Sequence, residues 1–191
     1  MPVEQYPEFR LGDVLATSFT ATLTERCGVA VERIPVPSRL MDWFEVSGLT
    51  VKNCTQLQLD YVHRLRESIH AAATSIANGA PPPLSAVQIL NASSAGGRAW
   101  PILAPEGVRR WQLASGSVED ALSVIAGDAV GIVSGERDGR IALCASPTCQ
   151  AAFFDTSRSR TRRWCDMNTC GNREKKARFF ANKHRSANPT E

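Results

Sequence analysis

The sequence predicts an α+β protein in two parts: a mainly α-helical N-terminal domain with one short β-hairpin, and a small C-terminal domain organised by cysteines. Three observations indicate this. Apolar residues recur at helical spacing in several segments before residue 135. The periodicity changes once, between residues 98 and 113, where two apolar runs flank the turn sequence APEG. Four of the six cysteines then lie between residues 144 and 170.

Two helices are predicted near the N terminus. The first runs from Asp13 to about Cys27, with apolar or small residues at helical spacing and Gly28 as its stop. The second covers Ser38 to Val46, with Ser38 as the N-cap and Gly48 after its last turn. Each carries an apolar stripe that is typical of a helix packed on one face.

Three further helices complete the N-terminal domain. The longest runs from Thr55, its N-cap, to Asn78, and Gly79 terminates it. Another covers Leu84 to about Ser94, and the last covers Val118 to Val133 behind the N-cap Ser117. The buried stripe predicted for the longest helix comprises Leu57, Tyr61, Leu65, Ile69 and Ile76.

A β-hairpin and a polar segment divide the rest of the chain. RAWPIL and VRRWQL flank Ala104–Gly107, which predicts a hairpin with a four-residue loop. SGERDGR, residues 134–140, is polar, contains two glycines and follows the last strongly apolar helix. The sequence therefore predicts one domain over residues 1–135 and a second over residues 136–191.

The second domain contains two pairs of cysteines. Cys144 and Cys149 are separated by four residues, Cys165 and Cys170 again by four, and fifteen residues lie between the pairs. This pattern is typical of a four-thiolate zinc site, so we expect one structural Zn²⁺. Four reduced core cysteines, or a redox or disulfide pair, are the alternatives. A catalytic zinc is disfavoured, because such sites keep an open position and prefer histidine or carboxylate ligands.

The segments around these cysteines predict a small zinc-dependent fold. AFF, residues 152–154, and RRWC, residues 162–165, are expected to form two short strands joined by a basic loop. Asn168 or Thr169 should then cap a helix that ends near His184. Knuckle, hairpin and helix together give a treble-clef-like zinc-finger domain at the C terminus. Its expected core residues are Phe153, Phe154, Trp164, Phe179 and Phe180.

Positive charge is concentrated in the second domain. Residues 1–135 contain 10 Lys and Arg against 13 Asp and Glu, whereas residues 136–191 contain 12 against 6. Basic side chains interleaved with Ser and Thr hydroxyls suit phosphate contacts, although a plain solvated surface is the alternative. Arg173 falls on the helix side expected to face inward, which suits a counter-charge beside the thiolates. The predicted nucleic-acid-binding residues are Arg158, Arg160, Arg162, Arg163, Lys175, Lys176, Arg178, Lys183 and Arg185.

The motif Cys170-Gly171-Asn172-Arg173 carries a family resemblance. Together with the preceding C-x4-C, the run DTSRSRTRRWC and the basic helix that follows, it resembles the CGNR zinc finger over roughly residues 140–185. In that family the finger follows an N-terminal ABATE domain, and LGDVLATSFTATL, residues 11–23, is similar to its opening helix. The resemblance implies a stress-linked transcription regulator that binds DNA through its finger.

The N-terminal region offers no catalytic motif. It has no Gly-rich phosphate loop, no Ser-His-Asp set in recognisable context and no paired acids on one face, so we expect no enzyme activity. We expect residues 1–135 to bind a small molecule or to mediate self-association. Cys27 and Cys54 are lone thiols, either ordinary buried cysteines or a redox sensor. The alternative to DNA binding is a zinc-stabilised module that binds RNA or an acidic protein.

The composition indicates a cytoplasmic location. MPVEQYPEFR has neither a basic n-region nor an apolar h-region, so no secretory signal is predicted. No segment approaches the about 18 uninterrupted apolar residues that span a bilayer, so no membrane partner is expected. Clustered cysteines in a reducing compartment more often bind metal than form disulfides.

Overall fold

The computed structural model of the protein describes residues 6–12 and 14–187, and for residues 184–187 the backbone alone. It is mainly helical, with three antiparallel two-stranded sheets, β1–β2, β3–β4 and β5–β6. The elements, in chain order, are α1 (Leu15–Thr20), β1 (Leu23–Thr24), β2 (Val31–Glu32), α2 (Pro37–Val46), α3 (Gln56–Ala77), α4 (Leu84–Ala95), β3 (Ala99–Leu103), β4 (Arg109–Leu113), α5 (Val118–Val133), β5 (Arg140–Leu143), β6 (Ala152–Asp155), a π-helical turn (Met167–Gly171) and α6 (Asn172–Ala187).

The longest helix, α3, is confirmed with its predicted caps. The Thr55 side chain accepts a hydrogen bond from Gln58 N, and the Gln58 side chain accepts one from Thr55 N, so two otherwise unpaired donors are satisfied. Leu65 and Ile69 are buried as predicted, but Leu57 is exposed. The buried face begins at Leu59 instead, because Leu57 lies in the first turn on the solvent side.

Helix α1 is much shorter than the predicted helix. Its predicted start, Asp13, lies outside the described residues, and its last residue is Thr20 rather than one near Cys27. The hydroxyl of Thr20 donates to Thr17 O, and that of Thr22 donates to Phe19 O. The chain then turns into β1, which pairs with β2. Four threonines between residues 17 and 24 favour this exit, since branched, hydrogen-bonding side chains compete with the helical backbone.

Helix α2 begins one residue earlier than predicted and is capped differently. Val36 is its extended N-cap and Pro37 occupies the first helical position, where its fixed φ is favourable, so Ser38 is not the N-cap. The helix buries Trp43, whose ring centroid lies 5.3 Å from that of Phe19 on α1. Gly48, with φ 74°, ends the helix as expected.

Helices α4 and α5 and the β3–β4 hairpin are confirmed. The hairpin pairs Pro101 with Trp111 and closes through a turn at Ala104–Gly107. Asp120 on α5 joins the hairpin to the helix, because its carboxylate accepts hydrogen bonds from Arg98 N, Ser115 N and Ser115 Oγ. Burial raises the pKa of Asp120, but these hydrogen bonds outweigh it and lower the pKa to about 2.

The β5–β6 hairpin packs into the same core as the N-terminal helices. Ile141 on β5 and Phe154 on β6 are directly paired, and both belong to the apolar cluster that contains Phe19 and Ile69. The predicted pairing of residues 152–154 with 162–165 is wrong, because β6 takes β5 as its partner. That pairing allows Ile141, Ala152 and Phe154 to be buried together. The division of the chain into domains at residue 135 stays a prediction.

None of the helices in the described part of the chain is both long and apolar enough to cross a membrane.

Candidate metal centre and basic surface

The four cysteines of the C-terminal segment meet at one point. Cys144 follows β5 and Cys149 precedes β6. Cys165 precedes the π-helical turn that leads into α6, and Cys170 lies within that turn. Their four Sγ atoms all lie within 4.8 Å of one another. The Sγ atom of Cys165 is 3.7 Å from that of Cys149 and 3.7 Å from that of Cys170.

These distances fit a tetrahedral thiolate site. Ligands about 2.3 Å from a zinc ion lie about 3.8 Å from one another at a tetrahedral angle. A disulfide would instead bring two sulfurs to about 2.0 Å, and none of the six cysteines is so bonded. Cys144, Cys149 and Cys170 are buried and Cys165 is half-buried, so the site is closed to substrate. The protein therefore has one structural zinc site.

The thiols strongly influence one another's ionisation. Burial, together with the neighbouring Cys149 and Cys144 charges, raises the pKa of Cys170 to about 12. Hydrogen bonds from Cys149 and Cys165 lower the pKa of Cys144 to about 2. Four thiolates at this spacing repel one another, and a divalent cation held by Cys144, Cys149, Cys165 and Cys170 would supply the compensating charge.

Two turns present the ligands. In the first, Cys149 N donates to Ser146 O and Cys144 N donates to Ala151 O, which brings the first two sulfurs together. In the second turn, the prediction that Asn168 or Thr169 caps the helix is wrong. Asp166 is the cap, and its carboxylate accepts hydrogen bonds from Asn168 N and from the Thr169 hydroxyl. The Asp166 carboxylate can accept both hydrogen bonds because its residue directly precedes the first turn of the helix, which is the N-cap position.

Gly171, the second residue of the CGNR motif, lies where the turn is closely packed. A Cβ at this position would lie 2.5 Å from Met167 Sδ and 3.3 Å from Cδ1 of Trp164. A side chain there would require the exposed Met167 side chain to move and Trp164, which packs against the cluster of Cys144, Cys149 and Cys170, to shift slightly. The small residue thus allows the turn to close behind Cys170.

Arg173 lies beside the metal ligands, on the side expected from its helix position. Its Nη2 donates to Ser146 Oγ at 2.7 Å and contacts Cys170 Sγ at 3.5 Å, while its Nη1 donates to Glu25 Oε2 at 2.9 Å. The same Glu25 oxygen accepts a hydrogen bond from the Thr148 hydroxyl at 2.6 Å. A carboxylate from the β1–β2 turn therefore holds both the first cysteine turn and α6.

The site geometry agrees with two family matches. Residues 13–136 match the ABATE family, which is described as "Putative stress-induced transcription regulator". The chain belongs to the ABATE family. Residues 140–183 match the CGNR zinc finger, which confirms the resemblance carried by Cys170–Arg173. No curated protein matches the chain.

In this ABATE protein, several arginines of the basic loop before Cys165 form contacts within the protein. The Arg162 guanidinium donates to the carbonyl oxygens of Trp164 and Cys165, and Arg160 pairs with Asp138. The Arg163 guanidinium lies over the Trp164 ring, 5.2 Å from its centroid. Arg158 differs from these three: it is exposed and has no hydrogen bond or ion pair with any described residue.

Helix α6 protrudes from the ABATE protein. Between residues 175 and 183 every side chain is exposed, so the helix has no buried face beyond its first turn. Phe179 and Phe180 do not join the finger core; they are exposed and contact each other edge to face, with centroids 5.7 Å apart. No other described element covers this part of the helix. The exposed cations on it are Lys175, Lys176, Arg178 and Lys183, whereas the Arg185 side chain lies outside the described residues.

The sequence did not indicate Glu25, Ser146 or Thr148 as parts of the metal centre. Ser146 and Thr148 lie inside the C-x4-C loop, so their proximity to zinc could have been inferred from the spacing. Glu25 carried no such signal, because it is 148 positions from Arg173 along the chain. Its backbone φ of 55° marks a tight turn that points the carboxylate at the finger.

Proposed function

We propose that this ABATE protein is a DNA-binding transcription regulator whose zinc finger presents a basic face to the phosphate backbone. One observation carries the proposal: α6 extends from the zinc-held turn with cations that have no partner among the described residues. A helix that is exposed on every side over residues 175–183 has the dimensions of an element that enters the major groove.

The proposed contacts divide into two groups. Five exposed cations are free to pair with phosphate, and the predicted Arg185 would extend the set. Arg160, Arg162 and Arg163 are engaged within the finger and would first shape the loop; each retains exposed area with which to approach the backbone. The five free cations are Arg158, Lys175, Lys176, Arg178 and Lys183.

Zinc would contribute to binding through the fold alone. Cys144, Cys149, Cys165 and Cys170 hold the ion, which supplies folding free energy to a segment with a small core of its own. Arg173 would offset the negative charge of the thiolates and orient Cys170. The first turn of α6 is thereby held rigidly, so its cations occupy defined positions.

The test is a titration of the zinc-loaded full-length chain with duplex DNA over a series of salt concentrations. With five or six phosphates neutralised, log K should fall against log salt with a slope of about −5. The double variant Lys175→Ala, Arg178→Ala should lower the magnitude of that slope by about 2. Arg64→Ala, Arg110→Ala, which removes two exposed cations of the N-terminal region, is the matched control. A slope near zero would contradict the proposal.

A second candidate is a zinc-stabilised module that binds RNA or an acidic protein. The exposed Phe179–Phe180 pair favours it, because unpaired bases stack on aromatic rings. Structured RNA and an acidic protein should therefore be titrated in parallel with the duplex. Enrichment of a defined site from random duplexes supports the regulator, whereas loss of duplex binding in the presence of structured RNA favours the second candidate.

The remaining parts of the proposal concern the rest of the protein. Residues 1–135 would act as a sensor for a ligand or as a surface for self-association, and no catalytic step is assigned to them. A cytoplasmic location, where the thiols stay reduced, is part of the same proposal.

A further inference from the structure

A cleft separates the N-terminal segment from the zinc finger. Its volume is about 770 Å³, within the range of small-molecule sites. One wall is formed by residues 8–12, α1 and β1, and the other by β6 and the loop that carries Cys165. The cleft is therefore built from both of the segments that match a family, and one of the four zinc ligands lies in its wall.

Two arginines of the N-terminal region line this cleft. Arg33 is almost fully buried, with Nε donating to Glu8 O at 2.7 Å and Nη1 to Thr24 Oγ1 at 2.7 Å. Burial lowers the pKa of Arg33, and the positive charge of Arg10 lowers it further. The charges of Glu25 and Glu32 partly offset this lowering, so Arg10 and Arg33 form a cationic end of the cleft at which an anion would be favoured.

One nitrogen of the half-buried Arg10 has no hydrogen-bond partner within the described part of the chain. Its Nη1 is buried and has no hydrogen-bond partner among the described residues, and it forms no ion pair with them. Asp166 lies in the wall of the cleft and accepts hydrogen bonds from Asn168 N and from the Thr169 hydroxyl, but neither of its oxygens bonds Arg10. A buried donor without an acceptor costs free energy, which a ligand oxygen would recover.

The rest of the lining is apolar or carries hydroxyl groups. Phe9, whose ring carries the Arg39 guanidinium 3.8 Å from its centroid, and the exposed Leu11 provide apolar surface, whereas Phe153 and Ala152 are almost fully buried. Thr17 offers a hydroxyl beside them. Such a surface suits the hydrocarbon part of a ligand whose charged group is held at one end.

We propose that the cleft binds a small organic anion, with its acidic group at Arg10 and Arg33 and its apolar body against Phe9 and Leu11. Carboxylate and phosphate share the chemistry that the guanidinium groups recognise. Arg162 and Cys165 lie in the opposite wall, so the bound ligand contacts the loop of the finger. The regulatory consequence, that occupancy changes nucleic-acid binding, rests on the proposed function; anion binding itself does not.

The test uses the zinc-loaded full-length chain without DNA. Benzoate, octanoate, phenyl phosphate and inorganic phosphate are titrated by calorimetry and by thermal shift, with neutral benzamide as the uncharged counterpart of benzoate. We expect saturable binding of at least one organic anion, with benzamide and inorganic phosphate at least about tenfold weaker. The ranking of benzoate against phenyl phosphate decides between carboxylate and phosphate.

Two variants test the location. Arg10→Met keeps the apolar stem and removes the charge, and Ala21→Phe fills the cleft without altering its charge; each should weaken the anion at least about tenfold. Arg110→Ala, on the β3–β4 hairpin, should bind as the unchanged protein does. Zinc content and circular dichroism verify that the variants fold. Equal affinity for benzoate and benzamide, unchanged affinity in both variants, or no binding up to about 10 mM overturns the proposal.

DNA affinity is measured separately without any anion. Loss of DNA binding with intact anion binding overturns the proposed function alone. Intact DNA binding without anion binding overturns this inference alone.

Discussion

Arg173 and Glu25, 148 positions apart in the chain, form an ion pair of 2.9 Å that joins the zinc centre to the β1–β2 turn. Because Arg173 also contacts Cys170 Sγ, the carboxylate acts on the metal ligand through the guanidinium. We expect Glu25→Gln to accelerate zinc loss to a chelator about fivefold, which corresponds to about 1 kcal/mol for a partly exposed charged hydrogen bond.

Glu45→Gln is the control for this change, since it removes an exposed carboxylate from α2, away from the metal centre. Arg173→Met should accelerate zinc loss as well. The double variant should lose zinc only slightly faster than Arg173→Met alone, because both changes break the same Glu25–Arg173 contact. Strictly additive effects would contradict the coupling.

Zinc removal should unfold the region around the finger. We expect elemental analysis to find about one zinc per chain. The Cys165→Ser variant should lose this zinc, and its C-terminal region should lose its protection from proteolysis, because metal binding supplies folding free energy. Cys27→Ser is the matched control, because Cys27 is an exposed thiol outside the cluster. A folded Cys165→Ser protein with native protease resistance and no zinc would contradict the assignment.

Arg158 and Arg162 should give different phenotypes although both lie in the basic loop. Arg158→Ala removes a free cation, so the magnitude of the salt slope for duplex DNA should fall by about 0.9 with zinc retention unchanged. Arg162→Ala removes donors to Trp164 O and Cys165 O, so it should lower stability by about 1–2 kcal/mol. Salt-dependent binding and chelator competition on both variants separate the two roles; identical behaviour would refute the distinction.

Asp120 should make the free energy of unfolding depend on pH in the acidic range. Its pKa is lowered to about 2 in the folded protein from an ordinary value of about 3.8, so its contribution is complete above pH 4 and is lost as the pH falls from about 4 to 2. Asp120→Ala should cost about 2–4 kcal/mol at neutral pH, because Arg98 N and the Ser115 donors lose their acceptor. Denaturant unfolding at several pH values measures both, and a variant whose stability deficit is unchanged at pH 2 would refute this account.

Phe154 should stabilise the whole protein rather than the finger alone. It belongs to the core shared with α1 and α3, so Phe154→Ala should cost about 3–5 kcal/mol and lower the midpoint for the entire chain. The control is Phe179→Ala, which removes an exposed ring from α6 and should cost little. In a Trp164→Phe background, tryptophan fluorescence reports the N-terminal region through Trp43, Trp100 and Trp111, and chelator-accessible zinc reports the finger. Separate transitions for these two signals would contradict a shared core.

The sequence predicts best the features that depend on neighbouring residues. The boundaries of α3 and α5 follow from caps and apolar spacing, and the β3–β4 hairpin follows from one turn between two apolar runs. The cysteine spacing likewise predicts the zinc ligands, since each pair lies within one turn. Errors arise where strand pairing decides, as at α1, which ends early where residues 23–24 pair with 31–32, and at β6, which pairs with β5 rather than with residues 162–165.

By itself, the sequence determined the helical frame, the four zinc ligands and the excess of cations beside them, because spacing, capping and charge are local properties. Only the tertiary structure decided that β6 pairs with β5, that Glu25 reaches Arg173, that Phe179 and Phe180 stay exposed and that a cleft opens beside Arg10. The Glu25–Arg173 contact and the cleft join residues more than a hundred positions apart. The β5–β6 pairing is closer in sequence but is favoured because it buries Ile141 and Phe154 in the common core, and Phe179 and Phe180 stay exposed because no described element covers them. Apolar packing selects that arrangement for the whole molecule at once, and no short segment encodes it.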